Sequence, residues 1–457
     1  MKGVTRIINV RPGKGGRPIE APREKYGTMG SLAVTHEPVA VACRAAPGFQ
    51  DWLARADGAV AVSTYQAGKV ALIGWDGRQV SLLMREFDKP LGLTACGDRL
   101  VLATRHDLSV FTNSPLLAHD YLAAEPGRYD ALYLPRATYH TGDLHTHDVA
   151  MVGDEIWLAA TRFSCLAKLS YDFSFLPVWK PRFVSDLVPE DRCHLNGIAV
   201  RDGRPRYVTA LGTTDAPGAW RQQKATGGVL IDIQSDEIIV GSLAMPHSPR
   251  WHDGRLWVLN SGAGELLLVD PSSGRFEVVC RLPGYLRGLC FCGPYALVGL
   301  SKIRERHIFG GLPVQERCET LLCGIAVVDV RNGREAGFFE FTAGCEELYD
   351  LQFLPGMHRP MILNLQKPEV HEAVTNPDSC YWLRPSSEIR EGASRAPREE
   401  ASEGTPADEE MPHAEREECN GRAVGGAVEL PPQQRETCER SNSSVGGRAD
   451  PMQSLVT

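Results

Sequence analysis

His147-Asp148-Val149-Ala150-Met151-Val152-Gly153-Asp154-Glu155-Ile156-Trp157-Leu158-Ala159 is the stretch from which the fold can be read. Val149 and Met151 lie on one side of an extended chain, Gly153-Asp154 supplies a turn, and Ile156–Ala159 runs back as a second strand. The same phrase recurs along the chain. Counted back without gaps from Gly97, Gly153, Asp202, Asp253, Gly293 and Pro355, the fourth place holds Leu93, Val149, Ile198, Pro249, Leu289 and Leu351. The second place holds Ala95, Met151, Val200, Trp251, Phe291 and Phe353. Two nearly all-apolar columns at period two mark the same half-buried strand six times.

Further strands follow most of these pairs. Gly264–Leu282 reads strand, Asp-Pro-Ser-Ser-Gly turn, strand; Gly228–Leu243 and Gly324–Phe341 read alike around Gln234-Ser235-Asp236 and Arg331-Asn332-Gly333. The unit is four short strands, and four-stranded units in radial array make a β-propeller. Near the start, Val60–Phe87 matches Leu256–Leu282 but has no first strand before it, because Phe49–Ala56 reads as a short helix. Leu348–Leu354 supplies that strand from the other end. Met361–Leu365 and Ala59–Val62 then compete for second place in the shared blade. The expected fold is all-β, a six-bladed propeller closed by N- and C-terminal strands. A β-sandwich with insertions would not require six ungapped copies of one pattern.

The chain is 457 residues, 43% hydrophobic and 23% charged, which excludes collagen, coiled coil and wholesale disorder. Residues 1–45 are expected to be a flexible basic arm, 46–387 the propeller, and 388–457 a disordered acidic tail. The first 30 residues hold seven Lys/Arg against two Asp/Glu, and the tail holds 15 acidic against 8 basic groups. The mildly acidic body offers no basic patch for nucleic acid, and no run of 18 apolar residues suits a bilayer. With no apolar signal segment and 13 scattered cysteines, the expectation is reduced thiols and a cytoplasmic setting. Cys290 and Cys292 read as two side chains on one face of a strand.

In a propeller the first strands line a central channel, and their starts meet at one mouth. Six places before the turn stand Leu91, His147, Asn196, His247, Arg287 and Tyr349; eight places before stand Lys89, His145, His194, Met245, Tyr285 and Glu347. Between these columns, Asp148 and Asp350 replace the Gly found in three other blades. Polar groups at strand starts ordinarily satisfy one another and water. Four histidines on one ring exceed that, since clustered imidazoles repel when protonated and stay neutral on a metal. Imidazole suits a divalent transition metal such as Zn, Fe or Mn. The expected ligands are His147, Asn196 and His247, completed or supported by His145, His194 or Glu347. Lys89, Arg287, Asp148 and Asp350 are candidate substrate contacts, and Glu347, Tyr349 and Tyr285 candidate catalytic groups. The loop Ser301–Glu316, with Arg304, Arg306 and His307, and the insertion Asp107–Tyr139 read either as covers for the mouth or as ordinary surface.

The stretches Ser63-Thr64-Tyr65-Gln66-Ala67-Gly68-Lys69, Leu144-His145-Thr146-His147-Asp148, His194-Leu195-Asn196-Gly197 and Pro246-His247-Ser248-Pro249-Arg250 resemble a bacterial conserved-hypothetical family of propeller-like proteins. The resemblance spans about Phe49 to Gln366 and implies a fold without an activity. More distantly, Asn196-Gly197-Ile198 is similar to the Asn-Gly-Leu strand start of the six-bladed gluconolactonase and regucalcin group. There the Asn ligates metal, but histidines stand here where that group has carboxylates.

Two functions follow as expectations. One is a metal-assisted enzyme (hydrolase, lyase or oxygenase) acting on a small anionic metabolite or peptide in the channel mouth. The other is a non-catalytic scaffold offering its rim or tail to a protein or peptide partner.

Overall fold

Six four-stranded sheets account for nearly all the regular structure in a computed structural model that describes residues 41–303 and 310–384. Blade I runs, from the axis outward, Asp350–Pro355, Gly58–Thr64, Lys69–Trp75, Val80–Glu86. Blade II runs Leu93–Cys96, Arg99–Ala103, Asp107–Asn113, Ala131–His140, and blade III Thr146–Val152, Glu155–Ala160, Cys165–Lys168, Leu176–Trp179. Blade IV runs Leu195–Arg201, Arg204–Ala210, Gly228–Asp232, Glu237–Leu243. Blade V is Pro246–His252, Arg255–Asn260, Glu265–Val269, Phe276–Arg281, and blade VI is Tyr285–Cys292, Tyr295–Ser301, Gly324–Asp329, Arg334–Ala343. Each innermost strand packs against the next, and that of blade I meets that of blade II, so the ring closes.

Closure is the stitched arrangement that the sequence implies. Asp350–Pro355 pairs antiparallel with Gly58–Thr64, joining two segments almost 300 residues apart. The competition for second place goes to Gly58–Thr64. Pro360–Ile362 instead adds a parallel fifth strand to Ala131–His140 of blade II. Ala42–Ala45 adds an antiparallel fifth strand to blade VI, so the flexible arm expected over 1–45 gives its last four residues to a sheet. Residues 1–40 and the tail expected over 388–457 lie outside the described residues. The insertion Asp107–Tyr139 is no cover for the mouth. It is the outer half of blade II, with a short helix Pro115–His119 between its strands, and Tyr121 packs in an outer cluster with Leu117, Leu132 and Ala373.

Burial follows from sandwiching each blade between two others. Gly58–Thr64 is buried along its whole length, which reads as a continuous apolar run rather than an alternation. Val60 and Val62 face blade VI among Leu297, Ile325, Val327 and Phe339, while Ala61 faces blade II among Leu93, Leu100 and Phe111. The turns obey their chemistry: Asp202-Gly203 and Asp253-Gly254 both take positive φ at both positions, as two-residue hairpins demand. The Asp and Gly in the channel column are also complementary. A Cβ on Gly92 would lie 2.9 Å from Asp148 Cα, and one on Gly288 would lie 2.9 Å from Asp350 Cα. The glycine of one blade makes room for the aspartate of the next. No disulfide links the described cysteines.

Candidate functional site

The starts of the inner strands converge on a cavity of about 250 Å³ at one channel mouth. It is lined by His145, His147, His194, His247, Tyr285, Arg287, Glu347 and Tyr349 from the two columns. Tyr65, Trp220, Arg221 and Lys302 also line it, together with the apolar Leu211, Met245 and Ile303. Four equivalent positions at this mouth, Lys89, His145, His194 and Met245, adopt left-handed backbone with φ between 48° and 55°. That conformation costs a non-glycine residue about 1 kcal/mol or more. Of the four, His145, His194 and Met245 line the cavity.

Each of three imidazoles is anchored through Nδ1. His147 Nδ1 lies 2.9 Å from His145 O and 2.9 Å from Thr161 Oγ1. Thr161 spends its proton on Leu195 O at 2.6 Å, so both partners of His147 Nδ1 accept, and the ring must donate from that nitrogen. His247 Nδ1 lies 2.8 Å from Met245 O and likewise donates. His194 Nδ1 lies 2.9 Å from both oxygens of Asp191. Burial opposes ionisation of Asp191, but His194 and Trp220 together hold its carboxyl below the usual range. An ionised carboxylate can only accept, so His194 too donates from Nδ1. Trp220 completes the mount, with Nε1 3.0 Å from Asp191 Oδ2 and its ring 4.4 Å from that of His194.

The ε-nitrogens then face inward. His194 Nε2 lies 3.1 Å from His147 Nε2, and the His145 ring sits 4.4 Å from that of His147. Burial first, then the neighbouring His194, pushes His145 down to about 3. His147 and His247 are also held well below the ordinary histidine range, chiefly by burial. Opposite them the Arg287 guanidinium lies 3.8 Å from the centre of the Tyr349 ring and pairs with Glu347 at 3.1 Å.

Several expected site residues do other work. Asn196 does not line the cavity: its Nδ2 donates to Pro246 O at 3.0 Å and its Oδ1 accepts from Thr209 at 2.6 Å, clipping blade IV to blade V. Both amide ends are engaged in this clip, and Asn196 is not brought into the wall with His147 and His247. Among the described residues, no three His, Cys, Asp or Glu side chains are grouped so as to hold one metal ion. Asp148 and Asp350 sit along the channel rather than in the cavity wall. Asp148 accepts from the backbone of Val149 and Ile198, Asp350 from Leu351 and Leu93, and each so ties its own blade to the next. Arg250 reaches Asp148 at 2.7 Å and Asp350 at 3.4 Å. Lys89 lies 5.3 Å over the Tyr65 ring and is not part of the wall. Arg304, Arg306 and His307 lie outside the described residues.

Asp191, Trp220, Arg221 and Lys302 belong to the site although neither column contains them. Asp191 stands three residues before His194, a spacing that carries such a pair only once the chain between them turns; Asp191 itself has φ 52°. Trp220 and Arg221 come from a short helix, Ala219–Gln223, inserted between the second and third strands of blade IV.

A family described as a domain of unknown function (DUF4915) matches residues 47–363, the entire span that builds this site. The chain belongs to that family. No curated protein sequence matches it. Among solved structures it is similar to a chain of a nidogen/laminin complex, at 11% identity and a TM-score of 0.42, covering 65% of this chain and 98% of the other. It is likewise similar to a protein of unknown function from Bacteroides caccae, at 10% identity and a TM-score of 0.40, covering 65% and 99%. Among the described residues of this DUF4915 chain, no helix is long and apolar enough to cross a membrane.

Proposed function

We propose that the channel mouth binds a small anionic metabolite and performs proton-transfer chemistry on it, with His194 and His147 as the acid–base pair. The observation that carries this is the 3.1 Å approach of their ε-nitrogens. With both δ-nitrogens donating, two bare lone pairs at that distance repel each other; one proton between them turns repulsion into a hydrogen bond. Asp191 supplies the balancing charge. A buried ring pair sharing one proton beside a small cavity is equipped to give or take it. Glu347, Tyr285 and Tyr349 are further groups within the wall for the same task.

The reading needs no metal. Histidine ring ¹⁵N spectra of the purified protein are expected to show one proton shared between the ε-nitrogens of His194 and His147, and Asp191→Asn to abolish that state. Two independent neutral rings would refute it. Stoichiometric Zn, Fe or Mn that disappears in a His147→Ala/His247→Ala double variant would replace it with metal-assisted chemistry.

A further inference from the structure

Arg287 is 6% exposed, yet of its five N–H donors only those on Nη1 have a hydrogen-bond partner among the described residues, Glu347 Oε1 at 3.1 Å. Tyr349 Oη beside it is fully buried and has no hydrogen-bond partner among the described residues, although its ring lines the cavity. A buried guanidinium with spare donors and an orphaned hydroxyl are each costly, and together they describe a place made for an oxygen anion.

We propose that Arg287 and Tyr349 seat a carboxylate of the ligand, with the ligand's reacting end turned to His147 and His194. This rests on the reading of the mouth as a ligand site and names the class of molecule it takes. The planar guanidinium fork matches the two oxygens of a carboxylate, and the phenol adds a third donor. Glu347 offsets part of the charge of Arg287, while Arg221 and Lys302 add positive charge to the same wall. The choice of a carboxylate therefore rests on the flat fork of Arg287 and the phenol beside it. The Tyr349 ring separates the two ends of the site: its centre lies 3.8 Å from Arg287 Cζ and 5.2 Å from the centre of the His147 ring. A molecule touching both needs only a few bonds between its carboxylate and its labile proton. The cavity, at about 250 Å³, is below the roughly 300–1,000 Å³ of drug-sized pockets, so the ligand is a short-chain or single-ring acid.

The test is binding of succinate, 2-oxoglutarate and benzoate to the full chain, each beside its neutral amide and beside inorganic phosphate, followed by calorimetry and by the histidine ring signals. At least one acid is expected to saturate the site at millimolar concentration while its amide does not. Its affinity should fall about tenfold or more in both Arg287→Lys, which keeps the charge but loses the fork, and Tyr349→Phe. Tyr349→Phe removes only an unpartnered oxygen, so the ligand-free variant should melt no lower than the parent, which guards against misfolding as the cause. An acid that binds parent and variants alike would overturn the carboxylate seat while leaving the pocket reading intact. Phosphate binding more tightly than every acid would overturn the choice of carboxylate. If no probe moves any histidine signal, the pocket reading itself falls.

Discussion

His194 and His147 meet Nε2 to Nε2 at 3.1 Å although they belong to different blades and stand 47 residues apart. Neither ring reaches the other by chance of rotamer. His147 is held by a backbone carbonyl two residues before it and by Thr161 at the end of the second strand of its own blade. His194 is held by Asp191 and by Trp220 from an inserted turn. Both anchors use Nδ1, so the tautomers are fixed before any ligand arrives.

Those anchors carry a pH signature. His145, His147 and His247 all bind protons less readily in the fold than an exposed imidazole does. Unfolding therefore takes up protons, and the stability present above about pH 6.5 is lost as pH falls below it. Urea midpoints are expected to drop between about pH 7 and about pH 5. In His147→Gln/His247→Gln that drop should shrink; an unchanged slope would mean that these rings already titrate in the native state.

The register columns brought His145, His147, His194, His247, Arg287 and Tyr349 to one mouth because a propeller converts equal strand position into spatial proximity. What they could not convey was direction and partner. Asn196 shares a column with His147 and His247, yet its short amide meets Thr209 and the next blade's backbone before it reaches the cavity. Asp191 and Trp220 sit in a loop and an insertion, outside any repeat. The left-handed backbone at His145 and His194 is equally silent in the sequence, since histidine does not announce it as glycine would.

Replacing Asn196 separates the two roles assigned to it. Asn196→Ala leaves Thr209 and the carbonyl of Pro246 without their buried partners, so it should cost about 1–3 kcal/mol in chemical denaturation. Ligand binding at the mouth should change little. A variant of parental stability that loses a bound ion would restore Asn196 as a metal ligand.

The axis below the site makes a second stability prediction. Arg250 is the cation between Asp148 and Asp350, and Arg250→Met leaves both buried acidic groups without it, a loss of about 3–5 kcal/mol. Burial raises the carboxyl of Asp350 to about 7, with Arg250 opposing and Asp148 adding to it. Because this carboxyl is raised in the fold, its contribution is full below about pH 4 and fades as pH climbs through about 7. The Asp350→Asn variant should therefore gain stability with rising pH more steeply than the parent, read from urea midpoints across that window.

The strain at the mouth can be tested at His145, whose side chain makes no hydrogen bond among the described residues while its backbone sits at φ 55°. If that conformation is held for the sake of the site, removing the side chain should relieve it. His145→Gly takes the same φ freely but adds about 0.5–1 kcal/mol of chain entropy to the unfolded state, so the net change should stay within about 1 kcal/mol of the parent. A β-branched residue cannot make that trade: His145→Val puts two substituents against the following carbonyl and should cost several times more. Urea unfolding of the two variants beside the parent reads the difference directly. Equal stabilities for Gly and Val would mean that the chain relaxes to ordinary extended geometry there, and the reading of this ring as a strained, ligand-facing mouth would lose its backbone support.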